Sequence, residues 1–246
     1  IKFLTQLNIP LDFNYKPENQ FTVHFDNFPS LKIKDNNPFF YYVKRGANKG
    51  DIDRELQTYA LSIGCEIRFG FTPKKDNISI IATGSNKAKA FIQGITFNTD
   101  LPDQTHLFLN SSLTKSGYAY LIIWNGIATL SVAYKKSEIE NNEIIERLIE
   151  ICDFTLNIKI PNDTNKFASY GSFDIDAIKI DDSGKYYIGE AGGFQDYLFG
   201  FGMNSAIYSA YYAIKSFTTT INFQDAIERN IFPHMKASLV NRFFYE

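Results

Sequence analysis

The residues best suited to chemistry lie between Tyr186 and Gly202. They run Tyr186-Tyr187-Ile188-Gly189-Glu190-Ala191-Gly192-Gly193-Phe194-Gln195-Asp196 and continue to Gly200-Phe201-Gly202. The pattern predicts a strand, a glycine-rich turn and the start of a helix. Glycine lets backbone approach a ligand closely. Glu190, just past the strand, can accept hydrogen bonds from sugar hydroxyls. The helix start offers unpaired N–H groups and a positive dipole end, which favour an anion or a nucleotide. The same residues also fit a tight strand-to-helix connection whose glycines serve packing alone.

The elements that must position this segment can be read from periodicity. Phe21–Phe25 and Phe39–Lys44 read as strands. Ile52, Leu56, Ala60 and Ile63 recur at helical spacing, with Gly64 as a stop. Glu66–Phe71 and Ile78–Ala82 read as further strands, the latter ending in the Thr83-Gly84-Ser85 turn. Four antiparallel strands follow, near Gln93–Asn98, Thr105–Asn110, Tyr118–Trp124 and Ile127–Tyr134. Asn125-Gly126 is a strong hairpin signal between the last two. Ser137 and Glu140 suggest a capping box opening a helix with Ile144, Ile145, Leu148 and Ile149. Ala177–Ile180 and Lys185–Ile188 read as strands joined by a turn. Met203–Phe217 reads as a helix rich in small residues, and Asn222–Phe244 as a helix interrupted near Pro233.

Composition narrows the functional classes. The 246 residues carry a net charge of −2, which argues against a nucleic-acid partner or an anionic membrane surface. Aromatic residues make up 16% of the chain, consistent with an AT-rich coding sequence or with an aromatic-lined cavity. Cys65 and Cys152 form no CxxC pair, so no disulfide framework is expected and a reducing, cytoplasmic compartment is the simpler expectation. His24, His106 and His234 are far apart in sequence and receive neither a metal nor a catalytic role. No stretch is long and apolar enough to span a bilayer, and the first residues carry no signal-peptide pattern.

Gly189-Glu190-Ala191-Gly192-Gly193-Phe194, with Gly200-Phe201-Gly202 and the small-residue helix, resembles the second flavin motif of geranylgeranyl-reductase-like oxidoreductases. These belong to a wider flavoprotein group with aromatic hydroxylases and halogenases. The family has Asp where Glu190 stands. Lys44-Arg45-Gly46 with Asp53 and Leu56 resembles the family's arginine-then-helix segment. Ile80-Ile81-Ala82-Thr83-Gly84-Ser85 resembles its strand and Thr-Gly turn. Gly117-Tyr118-Ala119-Tyr120, Asn125-Gly126 and Ala128-Thr129-Leu130 resemble a hairpin of its substrate domain, although Ile122-Ile123-Trp124 replaces the usual Phe-Pro. The resemblance runs from about Gln6 to Arg242.

The resemblance implies a mixed α/β (α+β) fold with an FAD/NAD(P)-binding-type three-layer core. That core would comprise 1–92 and 135–246, with an inserted antiparallel substrate-domain sheet at 93–134. FAD is the implied cofactor, held by Arg45, Thr83, Gly84, Gly189, Glu190, Gly192, Gly193, Gly200, Phe201, Gly202 and Met203. Arg45 fits equally a surface ion pair with Asp51 or Asp53. Tyr118, Tyr120 and Trp124 share one face of a strand. With Phe194, Tyr197 and Phe199 they are candidates for a substrate wall, or for core packing.

The implied reaction is reduction of carbon–carbon double bonds in a prenyl lipid or similar apolar substrate, with peripheral membrane contact if that substrate is a lipid. A flavin-dependent aromatic monooxygenase is the alternative. The electron donor and any catalytic acid or base stay unassigned. The family opens with a strand, GxGxxG and a helix that cradle the FAD pyrophosphate. No GxGxxG occurs in this sequence. The expectation is therefore a chain lacking its N-terminal βαβ unit, or one whose partner chain supplies it. A non-catalytic module that keeps the fold is the third reading.

Overall fold

The structure, a computed structural model, describes residues 1–74, 78–85, 88–135, 143–171, 178–182 and 184–245. The chain divides into two compact units, one of 1–23 and 29–73, the other of 24–28 and 74–246.

In the first unit, α1 (Lys2–Gln6) precedes β1 (Tyr15–Glu18), the opening residues of β2 (Gln20–Phe25), β3 (Leu31–Lys34), β4 (Phe40–Val43) and α2 (Ile52–Ser62). β1 pairs antiparallel with β4, and β2 with β3. Leu4, Phe13, Val23 and Ile52 are the buried apolar side chains of this unit. Asp51 stands at the N-cap of α2, where its Oδ2 accepts the Asn48 N–H at 3.0 Å and its Oδ1 lies 3.6 Å from Lys44 Nζ. Gly64 follows the helix with φ +93°, as the stop signal predicts.

The expected strand over Glu66–Phe71 does not form; those residues are irregular and end in a turn. Strand propensity becomes a strand only when a neighbour takes up the backbone N–H and C=O groups, and among the described residues no strand pairs with this segment. Its apolar side chains stay in solvent, with Phe69 at 80% exposure.

In the second unit β6 (Ala90–Asn98), β7 (Gln104–Leu109), β8 (Tyr118–Trp124), β9 (Ile127–Lys135) and β10 (Asn165–Gly171) form an antiparallel sheet in the order β10-β6-β9-β8-β7. The β8–β9 hairpin pairs Trp124 with Ile127 across Asn125-Gly126, both in the left-handed region at φ 52° and 75°, as a type I′ turn requires. α3 (Ile144–Leu156) lays Ile145, Leu148 and Cys152 on one sheet face, against a core that includes Leu121, Leu130, Val132 and Ile95. Each such large apolar side chain contributes about 1.5–3 kcal/mol when fully buried. Edge strand β10 escaped the sequence reading. Its polar, largely exposed residues give no apolar run, and its pairing with β6 holds it in place. The Ser137–Glu140 capping box lies outside the described residues.

A second, smaller sheet carries the glycine segment. β5 (Ile80–Ile81) runs parallel to β12 (Lys185–Tyr187), which pairs antiparallel with β11 (Asp181–Asp182). The strand expected over Ala177–Ile180 lies instead at Asp181–Asp182; Ile178–Ile180 are irregular, and Ala177 falls outside the described residues. After β12 come a 3-10 turn (Gly189–Gly192), α4 (Met203–Thr218), α5 (Phe223–Asn230) and α6 (Phe232–Tyr245). The expected interruption near Pro233 is the break between α5 and α6 at Ile231. Phe194, Tyr197, Ala213, Ile227 and Met235 form the core beneath this segment.

Candidate functional site

Two strand ends meet at the site. β5 and β12 run parallel, pairing Tyr186 with Ile80 and Tyr187 with Ile81. Both therefore release the chain in the same direction, β5 into Thr83-Gly84-Ser85 and β12 into Gly189-Glu190. In open α/β sheets the carboxyl ends of strands are where ligands bind. Gly84 makes its turn at φ +79°, and a Cβ built there would lie 4.0 Å from Glu190 Oε2. The Glu190 carboxylate accepts the Ser85 backbone N–H; burial pushes its pKa up, and that hydrogen bond pulls it back. The Thr83-Gly84-Ser85 turn and Glu190, distant in sequence, thus stand together.

The glycines divide by role. Gly189 adopts φ +55°, donates its N–H to Ser209 Oγ at 2.9 Å, and approaches α4 so closely that a Cβ would lie 3.1 Å from Ala206 Cβ. A Cβ on Gly192 would lie 2.6 Å from the Phe194 ring and 2.8 Å from the Tyr187 carbonyl. These two glycines serve packing, the alternative open in the sequence. Gly193 closes the 3-10 turn at φ +75°, its N–H donating to Glu190 O at 3.0 Å. Gly202 is the N-cap of α4, where its carbonyl accepts the Ala206 N–H at 2.8 Å.

Between the 3-10 turn and α4, Asp196 organises the loop. Its Oδ1 accepts the N–H groups of Leu198 at 3.0 Å and Phe199 at 2.7 Å, and its Oδ2 accepts that of Phe201. The Gly200 N–H adds a fourth bond to the same carboxylate. Gly200, at φ +71°, forms the tip. Tyr118 from β8 donates its hydroxyl to the Phe199 carbonyl at 2.6 Å, and burial drives its pKa far above the ordinary phenol range. The rings of Tyr118 and Phe199 meet edge-on at 5.2 Å, and Phe199 lies 5.7 Å from Phe201. Phe201 is 58% exposed and Met203 39%.

The aromatic candidates therefore separate. Tyr118, Tyr120 and Phe199 form one cluster, joined to Phe201, on the sheet face opposite α3. Trp124 shares that face but sits at the far, hairpin end of β8, roughly 20 Å from Tyr118 at strand rise. Phe194 and Tyr197 are core residues, 0% and 2% exposed, because the chain folds them under the glycine turn. Arg45 belongs to the first unit, where its Nε donates to Asp53 Oδ2 at 2.6 Å in solvent. That is the surface pair left open above.

Sequence reasoning missed Asp196, Ser85 and Ser209. Asp196 carried a signal, since an Asp side chain caps N–H groups two and three residues ahead. It also missed that His24 Nε2 and His106 Nδ1 lie 2.9 Å apart, with His106 Nε2 2.9 Å from Gln104 Oε1. Only the placement of the β2 end beside β7 brings them together. Among the described residues no group of His, Cys, Asp and Glu has the makings of a metal site, and no helix is long and apolar enough to cross a membrane.

Comparison with known proteins places this geometry in a fold. No family model matches the sequence, and no curated protein matches it. Solved structures do. A geranylgeranyl bacteriochlorophyll reductase-like protein from Thermoplasma acidophilum matches 97% of this chain with 70% of its own, at 16% identity and a TM-score of 0.62. A flavin-dependent brominase matches 98% with 70% of its own, at 15% identity and a TM-score of 0.61. A flavoprotein/dehydrogenase from Cytophaga hutchinsonii matches 95% with 69% of its own, at 14% identity and a TM-score of 0.56. The chain has the mixed α/β fold of this flavoprotein group.

Proposed function

We propose that this chain is the larger part of an FAD-dependent oxidoreductase. The observation that carries the reading is the junction of Thr83-Gly84-Ser85 with Glu190 at the ends of two parallel strands, ahead of the α4 N-terminus. FAD, when bound, supplies the hydride or oxygen chemistry, and the protein supplies orientation and electrostatics. The residues present fit the cofactor in part. Glu190, held by the Ser85 N–H, is suited to accept hydrogen bonds from ribose or ribityl hydroxyls. The start of α4 is suited to the ring, where the first-turn N–H groups and the helix dipole favour negative charge, while the Gly200 and Phe201 N–H groups are taken by Asp196. The GxGxxG that holds a pyrophosphate does not occur in these 246 residues. An upstream segment or a partner chain is proposed to provide it.

Tyr118, Tyr120, Phe199 and Phe201 form the wall proposed for an apolar substrate. The proposed reaction is reduction of carbon–carbon double bonds in a prenyl lipid or similar molecule. Hydroxylation of an aromatic is the second reading, favoured by the same aromatic wall. The test is a visible absorbance spectrum after incubation with FAD and desalting, for the full-length protein with any upstream segment. Retained flavin bands support the reading. Complete loss of flavin sinks it in favour of a non-catalytic module or a split protein.

A further inference from the structure

Four consecutive backbone N–H groups, from Leu198 to Phe201, converge on the Asp196 carboxylate. Successive N–H groups folded around one point make an anion-binding nest. Here the anion is the chain's own. The nest is tied down from three further directions. The Asp196 N–H donates to the Phe201 carbonyl at 3.1 Å, Tyr118 holds the Phe199 carbonyl, and the Tyr197 N–H donates to Ser238 Oγ on α6 at 2.8 Å.

We propose that Asp196 is a positioning residue: its carboxylate fills the Leu198–Phe201 nest and thereby fixes the loop that carries Phe199 and Phe201 to the start of α4. The part concerning cofactor rests on the flavin reading above; the part concerning the loop does not. The edge-on contact of Phe199 with Tyr118 anchors one side of the loop, but the Gly200 tip has no side chain to pack, and the charge-assisted bonds to one carboxylate are what hold its four N–H groups in this arrangement. An exogenous carboxylate of similar size fits the same nest once the side chain is removed.

The experiment uses hydrogen exchange of the loop amides in the wild type, Asp196→Ala and Asp196→Asn, with and without added formate, together with FAD retention. In Asp196→Ala the amides of Leu198, Phe199, Gly200 and Phe201 are expected to exchange about ten- to a hundredfold faster, and formate restores the protection. An amide side chain offers one acceptor oxygen, so Asp196→Asn keeps protection at Leu198 and Phe199 or at Phe201, not at both. Unchanged exchange in folded Asp196→Ala overturns the proposal. If that variant does not fold, equal protection at both sets in Asp196→Asn overturns it. Where the wild type retains FAD, weaker retention in Asp196→Ala, recovered by formate, supports the positioning role, and equal retention refutes it. A wild type without FAD whose loop amides still track Asp196 removes the flavin reading and leaves the nest assignment standing.

Discussion

The Glu190 carboxylate accepts the backbone N–H of Ser85, although an entire antiparallel sheet lies between them in the sequence. On the proposed flavin reading, that bond holds the carboxylate beside the ends of two parallel strands for a sugar hydroxyl of the cofactor. Replacing Glu190 by Ala removes the acceptor and leaves the turn backbone in place. FAD affinity in fluorescence titration is expected to fall about ten- to a hundredfold, the worth of one or two hydrogen bonds to a charged group. Glu190→Gln should lie between wild type and Ala. Unchanged affinity in Glu190→Ala removes this residue from the site.

Gly189 and Gly192 sit in the same motif, and their prediction concerns stability. An alanine at 189 must adopt φ +55° and press its Cβ to 3.1 Å from that of Ala206. Gly189→Ala is expected to cost about 1–3 kcal/mol in urea denaturation. Gly192→Ala drives a methyl against the buried Phe194 ring and the Tyr187 carbonyl, and is expected to cost about 2–3 kcal/mol or more. Gly84→Ala meets no close atom, only strain at φ +79°, and is expected to be milder than Gly192→Ala.

These cases show what was legible in the sequence. Local signals translated directly: the Asn125-Gly126 hairpin, the α2 stop at Gly64 and the α5–α6 break all depend on backbone chemistry within a few residues. Glu66–Phe71 did not translate, because a strand needs a partner and propensity does not provide one. The glycine motif was visible, yet its sharing-out was not. Whether Gly189 faces a ligand or Ala206 depends on where α4 lies. The same holds for Phe194, whose burial follows from α4 and α5 closing over it, and for Arg45, which pairs with Asp53 while the buried Asp51 carboxylate takes the Asn48 N–H and faces Lys44.

The His24–His106 pair predicts a pH dependence. Both rings are buried, and His24 stacks on Phe108 at 5.0 Å. Burial, then the neighbouring His24, lowers the His106 pKa to about 4, and burial lowers that of His24. Both imidazoles are therefore neutral in the fold and take up protons more readily when it opens. A depressed folded pKa means stability present above the unfolded value and lost as pH falls toward the folded one. The loss is expected between about pH 6.5 and pH 4 and to reach at most about 3 kcal/mol for His106. His106→Phe keeps a planar ring without the titration and should flatten the curve. Chemical denaturation at stepped pH measures it; a wild-type curve as flat as the variant's contradicts the buried neutral pair.

The two cysteines give a test of the α3 packing. Cys65 is exposed, whereas Cys152 is fully buried between α3 and the sheet. Burial, then the neighbouring Asp153, pushes the Cys152 thiol up to about 11. The thiolate is the reactive form, so Cys152 is protected twice, by access and by protonation. In native protein iodoacetamide is expected to modify Cys65 alone, and Cys65→Ser should abolish native labelling. Cys152 should react only when the α3–sheet core opens, at a rate that rises with denaturant. Peptide mass spectrometry distinguishes the sites. Equal labelling of both without denaturant would mean that Leu148 and Cys152 do not close over Leu121 and Leu130 as described.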